Sequence, residues 1–226
     1  MINMKYRESY HGFVLLGSGI LYLITEWEIL LTLTAAASFM IMMLSEWPAL
    51  WKLHRFGGYA NWVTLLRLSG LFILFSLSGS LSFGQIVVFL IILLVLDGVD
   101  GFIARHFHHV SSFGAVFDME TDALFACFAS VLLFEKDLTG EWILLIGFMR
   151  YIFVVIKYIT GLNKMKEKRT RFGPTIAGIL FIALIIPFVL KPVIYSPCLI
   201  AASILVSLSY AWSFYLLVVE KRRTPA

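Results

Sequence analysis

A chain of 226 residues with 60% hydrophobic side chains, only 14% charged ones and a mean hydropathy of +0.90 is too apolar for a soluble domain of its size. The net charge of +4 sits between apolar runs, a pattern of membrane orientation and not of nucleic-acid binding. Cys127 and Cys198 both lie inside apolar stretches, which excludes a disulfide framework and a CxxC metal site.

A membrane-spanning helix takes about 20 mostly apolar residues, because hydrocarbon leaves its backbone groups no partner but one another. Eight runs of this kind follow in chain order, at about 11–26, 28–46, 61–80, 84–107, 113–134, 141–162, 173–190 and 194–219. The first follows Lys5 and Arg7 as a signal sequence would, but Glu26-Trp27-Glu28 leads straight into the second run without a small-residue cleavage site, so it is expected to be retained. The segment from Trp47 to Tyr59 reads as an interfacial linker with Trp47 and Trp51 at headgroup depth. The predicted fold is therefore an all-α polytopic membrane protein. Residues 1–60 hold two additional N-terminal apolar helices and the linker, and residues 61–226 hold a six-transmembrane-helix core.

Alternating these helices puts Lys5, Arg7, Lys52, Arg55, Arg105, Lys157, Lys164, Lys166, Lys168, Arg169, Arg171, Lys221, Arg222 and Arg223 on one side and only Lys136 and Lys191 on the other. Both termini are accordingly expected on the cytoplasmic face of an inner or cell membrane.

Within this apolar background, Asp97, Asp100, Asp118 and Asp122 fall in 26 residues, although a carboxylate at membrane depth costs roughly 3 kcal/mol on insertion scales. Asp97 and Asp100 share a helix face at i and i+3, as do Asp118 and Asp122 at i and i+4. The short polar turn around His106 to Ser112 makes the two helices antiparallel neighbours, so the two pairs can face each other near the cytoplasmic end. Such a group of carboxylates repels itself unless a cation intervenes, and an all-oxygen set favours a hard ion such as Mg²⁺ or Mn²⁺. Gly101, Ala104 and Gly114 lie near the same faces, leaving room for a ligand, and Arg105 supplies a fork suited to phosphate oxygens. The bland alternative is a buried ion network of these aspartates with Arg105, Arg150 or Lys157, the glycines merely permitting tight helix packing.

The residues Asp97, Asp100, Gly101, Ala104, Arg105, Gly114, Asp118 and Asp122 match the signature D-x2-D-G-x2-A-R-x8-G-x3-D-x3-D at every fixed position. In this the chain resembles the CDP-alcohol phosphotransferase family. A chance match at about one in twenty per position is on the order of 10⁻¹⁰ per window. The resemblance implies a metal-dependent enzyme that displaces CMP from a CDP-linked lipid or alcohol with the hydroxyl of a small alcohol acceptor. It implies two ions, Mg²⁺ or Mn²⁺, held by Asp97, Asp100, Asp118 and Asp122, with Asp122 also the general base. It assigns the nucleotide to Gly101, Ala104, Arg105, Ser111 and Gly114, and to Asn61 and Thr64, which look like the family's Asn-x-x-Thr element. Asn61 and Thr64 are equally at home as plain helix-start residues.

Acceptor binding by Arg150, Lys157, Arg169 and Arg171 is also implied by the resemblance. The cluster from Lys164 to Arg171 has the alternative of an ordinary positive-inside loop touching anionic lipid. Arg150 sits mid-helix, where pairing with a carboxylate competes with binding an anionic substrate. The resemblance also suggests a homodimer among membrane lipids, with no nucleic-acid partner. His106, His108 and His109 occupy the connecting turn and are not favoured as ligands over an existing oxygen site. A polytopic transporter using intramembrane carboxylates for a cation in transit is the alternative from another class, and a catalytically silent scaffold is a third.

Overall fold

The computed structural model describes residues 4–52, 59–106, 112–163, 165 and 172–223, with side chains described over the same stretches apart from 4–8, 46–52, 59, 100–106, 112 and 223. These residues form helices joined by short turns, and no strand occurs among them. In order they are α1 (Met4–Thr25), α2 (Glu28–Lys52), α3 (Tyr59–Leu77), α4 (Phe83–His106), α5 (Ser112–Glu135), α6 (Trp142–Gly147), α7 (Met149–Ile159), α8 (Gly173–Ile185), a 3-10 turn at Ile186–Phe188, and α9 (Pro192–Arg223).

Helix ends follow local chemistry. Pro174 opens α8, where its missing N–H costs nothing, and Pro187 stands in the 3-10 turn that ends it. Beyond α7, Gly161 takes φ 66°, and Leu162 N–H closes back on the Lys157 carbonyl at 2.9 Å, as the left-handed stop of a helix requires. The single run expected at 141–162 is two helices. Its hydrogen-bond ladder continues through the joint, with Phe148 N–H to the Leu144 carbonyl at 2.9 Å and Ile152 N–H to the Phe148 carbonyl at 3.0 Å. The break is therefore a kink, placed beside Gly147, whose backbone lies so close to Ser130 that an added Cβ would meet its side chain at 2.6 Å.

The central element is α5. Every residue from 123 to 133 is buried, as befits a helix that is apolar all round, and it packs against α3, α6 and α8. Around it, α3 lies on α4, α8 on α9, and the α1–α2 hairpin rests on α7 and α3. Gly12 and Gly19 set the approach of α1. A Cβ at Gly12 would come within 2.8 Å of Val154, and one at Gly19 would overlap the Phe148 ring.

Side-chain bonds tie the turns together at each end. The Tyr22 hydroxyl donates to Glu135 at 2.9 Å, Lys136 Nζ to the Ser78 carbonyl at 2.9 Å and the Tyr195 hydroxyl to the Leu138 carbonyl at 2.6 Å. At the other end, Lys221 Nζ donates to the Thr160 carbonyl at 3.1 Å. Among the described residues, three helices are long and apolar enough to cross a membrane, over Glu28–Ser45, Ala60–Leu77 and Pro192–Arg222, with shorter apolar helices at Ser9–Thr25, Phe83–Val99 and Gly173–Phe188.

Candidate metal centre

Near the end of the bundle where α4 finishes and α5 begins, three acidic side chains converge. Asp97 comes from the last turns of α4, and Asp118 and Asp122 from one face of α5 at i and i+4. One oxygen from each lies within 4.8 Å of the others. Their side chains are partly open, at 29%, 40% and 30% exposure, so a ligand has access to them.

Arg67 of α3 stands against all three. Its Nη1 lies 2.8 Å from Asp97 Oδ1 and 3.1 Å from Asp118 Oδ1, and its Nη2 lies 2.7 Å from Asp122 Oδ1. The guanidinium is only 2% exposed, and its planar fork suits several carboxylate oxygens at once. Asn61, Thr64 and Arg67 fall at successive i+3 positions, which lines up three buried polar side chains along α3. The Thr64 hydroxyl donates back to the Ala60 carbonyl at 3.1 Å.

These residues fit a divalent ion. The donors are all carboxylate oxygens, and the Arg67 guanidinium carries less charge than the three carboxylates it meets. An octahedral ion with oxygen ligands at about 2.1 Å spaces them roughly 3 to 4.2 Å apart, close to the spread observed.

Of the other expected site residues, Gly114 lies half-buried in the first turn of α5. Asp100, Gly101, Ala104 and Arg105 belong to the last turns of α4, but their surroundings fall outside the described residues, as do Ser111, Arg169 and Arg171. Arg150 and Lys157 are both buried on α7. The carboxylate that Arg150 meets is Glu120, with Nη2 at 3.2 Å from Oε1. Of the two readings open for it in the sequence, the carboxylate partner is present.

Two participants went unread in the sequence. Arg67 is a lone cation in the middle of an apolar run, and that alone marks it, since such residues face the bundle interior and find a partner. Glu120 lies between the two signature aspartates of α5 but points elsewhere, and helical phase is the signal that separates it from them.

The family model for CDP-alcohol phosphatidyltransferase matches residues 58–219, from just before α3 into α9, and leaves α1 and α2 outside. No curated protein and no solved structure matches the chain. The matched stretch takes in most of the chain, the complete aspartate signature and the three acids that meet around Arg67, and the chain belongs to the CDP-alcohol phosphatidyltransferase family.

Proposed function

We propose that this protein transfers a phosphatidyl or other phospho-alcohol group from a CDP-linked donor such as CDP-diacylglycerol to the hydroxyl of a small alcohol, releasing CMP, in phospholipid synthesis. The observation that carries the reading is the meeting of Asp97, Asp118 and Asp122 within 4.8 Å at signature positions of a family of transferases. That membership also weighs against cation translocation as the purpose of these carboxylates.

Asp97, Asp100, Asp118 and Asp122 would hold two ions, Mg²⁺ or Mn²⁺. Bound there, the ions would neutralise the diphosphate and stabilise the CMP leaving group. Asp122 would accept the proton of the attacking hydroxyl; Arg67 engages its Oδ1, and the second carboxylate oxygen is assigned to that proton. Arg67 itself would hold the acids in place before donor and ions arrive, so that less rearrangement is needed on binding. Asn61, Thr64, Gly101, Ala104, Arg105, Ser111 and Gly114 would seat the nucleotide, with Lys157, Arg169 and Arg171 toward the acceptor. The pairing of Arg150 with Glu120 favours a structural role for Arg150 over acceptor binding.

The topology in this reading is a six-helix core from residue 61 onward with the α1–α2 hairpin added. The site and both termini would face the cytoplasm of an inner or cell membrane, in keeping with the basic residues at that end and with release of a soluble nucleotide.

The test is CMP release from CDP-diacylglycerol by the purified protein with Mg²⁺ or Mn²⁺, across glycerol 3-phosphate, serine and inositol phosphate. Acceptor-dependent release that vanishes in Asp118→Asn supports the reading and names the acceptor. No release with any of these acceptors, or release that persists in Asp118→Asn, counts against it.

A further inference from the structure

On α5, Asp118 and Asp122 are separated by about 40° around the helix, and Glu120 lies roughly 180° from their midpoint. The helix is thus held by ionic contacts on two opposite sides. On one side Arg67 of α3 grips Asp118 and Asp122. On the other, Glu120 is 1% exposed and paired with Arg150, whose Nη2 lies 3.2 Å from Oε1, while His11 Nε2 packs 3.7 Å from Oε2, a van der Waals approach longer than a hydrogen bond. His11 is itself fixed: Nδ1 lies 2.7 Å from the Ser38 hydroxyl, and its ring meets Phe39 edge-on at 4.6 Å between centroids. The tautomer that suits these neighbours has Ser38 donating to Nδ1 and Nε2–H facing Glu120. His11 and Ser38 belong to α1 and α2, outside the stretch matched by the family, and the close approach at Gly12 and Gly19 seats α1 firmly enough to carry such a contact.

A carboxylate sits about 6 Å from the helix axis, so a rotation of α5 by only 10° carries Asp118 and Asp122 about 1 Å. A catalytic or metal-binding constellation tolerates about 0.5 Å. We propose that Glu120 is a positioning residue, bonded by Arg150 of α7 and packed against His11 of the N-terminal hairpin, that sets the rotational register of α5 and through it the metal affinity of Asp118 and Asp122. The hairpin thereby acts on the metal centre from the opposite face of the helix without touching it. This inference rests on the metal reading given above.

The experiment is a Mn²⁺ titration of the purified full-length protein in detergent, followed by electron paramagnetic resonance of the free ion, with thermal unfolding of each variant in parallel. The variants are Glu120→Gln, His11→Phe, which keeps the ring on Phe39, and Tyr22→Phe, which loosens the same hairpin at the far end of α5. Glu120→Gln and His11→Phe are expected to weaken Mn²⁺ binding by about tenfold, at the low end of what loss of a ligand-orienting group costs. Tyr22→Phe is expected to leave Mn²⁺ affinity as in the wild type. Should Glu120→Gln fail to fold, His11→Phe decides. Unchanged affinity in His11→Phe, or an equal loss in Tyr22→Phe, overturns the inference while the metal reading stands. Absence of Mn²⁺ binding by the wild-type protein overturns both.

Discussion

The two faces of α5 carry the same chemistry to different ends. Asp118 and Asp122 look toward Arg67 with 40% and 30% of their side-chain surface open, whereas Glu120 is sealed among His11, Arg150 and the packed interior. Three acids within five residues of one helix therefore divide into two that a ligand reaches and one that none does. What separates them is access. An open carboxylate exchanges its partner for a metal or a proton, while a sealed one keeps the partner that folding gave it.

The sharpest way to break this contrast is at the open face. Asp122→Asn is expected to reduce turnover by about 10²-fold to 10⁴-fold, the usual range for a positioned proton acceptor, while donor binding stays measurable. Steady-state CMP release together with a CDP-donor binding assay reads both, and normal turnover would remove Asp122 from its role as base.

At the sealed face the effect falls on stability. Arg150→Ala leaves Glu120 without its arginine in the interior and is expected to cost about 3 to 5 kcal/mol. Thermal unfolding in detergent measures the loss. Any remaining activity is expected to show an acceptor KM like that of the wild type, because Arg150 is engaged by Glu120. A raised KM with wild-type stability would instead place Arg150 at the acceptor.

Arg67→Gln is expected to cost less, about 2 kcal/mol, because the three acids it leaves behind are partly hydrated. Mg²⁺ or Mn²⁺ is expected to restore part of this stability, since a cation at the carboxylates replaces the lost guanidinium. A stability difference that stays constant across Mg²⁺ concentrations would show that ions and Arg67 do not address the same acids. Smallest of all is Tyr22→Phe, which removes one part-buried hydrogen bond to Glu135 and is expected to lower stability by about 1 kcal/mol with turnover unaltered.

Much of this was legible before any coordinates. The apolar runs predicted helices, and helices fill the described residues apart from their turns. The spacing of Asp97, Asp100, Asp118 and Asp122 predicted two carboxylate pairs facing each other across two helices; Asp97, Asp118 and Asp122 meet within 4.8 Å, and the Asp100 side chain lies outside the described residues. The partner of the aspartates was read less well. Arg105, Arg150 and Lys157 were the candidates; the Arg105 side chain lies outside the described residues, and Arg67, which meets the acids, lies 51 residues from Asp118 and 55 from Asp122 along the chain. Linear spacing carries no information about which helix packs beside which. The kink at Phe148 was missed for a similar reason, since a close approach between Gly147 and Ser130 is invisible in a uniformly apolar run.

By itself the sequence determined the quantities that act along the chain: hydropathy sufficient for membrane helices, a helical phase that puts Asp118 and Asp122 on one face and Glu120 on the other, and a family signature. Tertiary structure alone decided the quantities that act across it. It brought Arg67 to the clustered aspartates, Arg150 to Glu120, and His11 to the back of the helix that bears them. The physical reason is that helix periodicity is a local property of the backbone, whereas the partner of a buried charge is chosen by which helices pack together, and only three-dimensional packing brings residues 11, 67, 120 and 150 within reach of one another's fields.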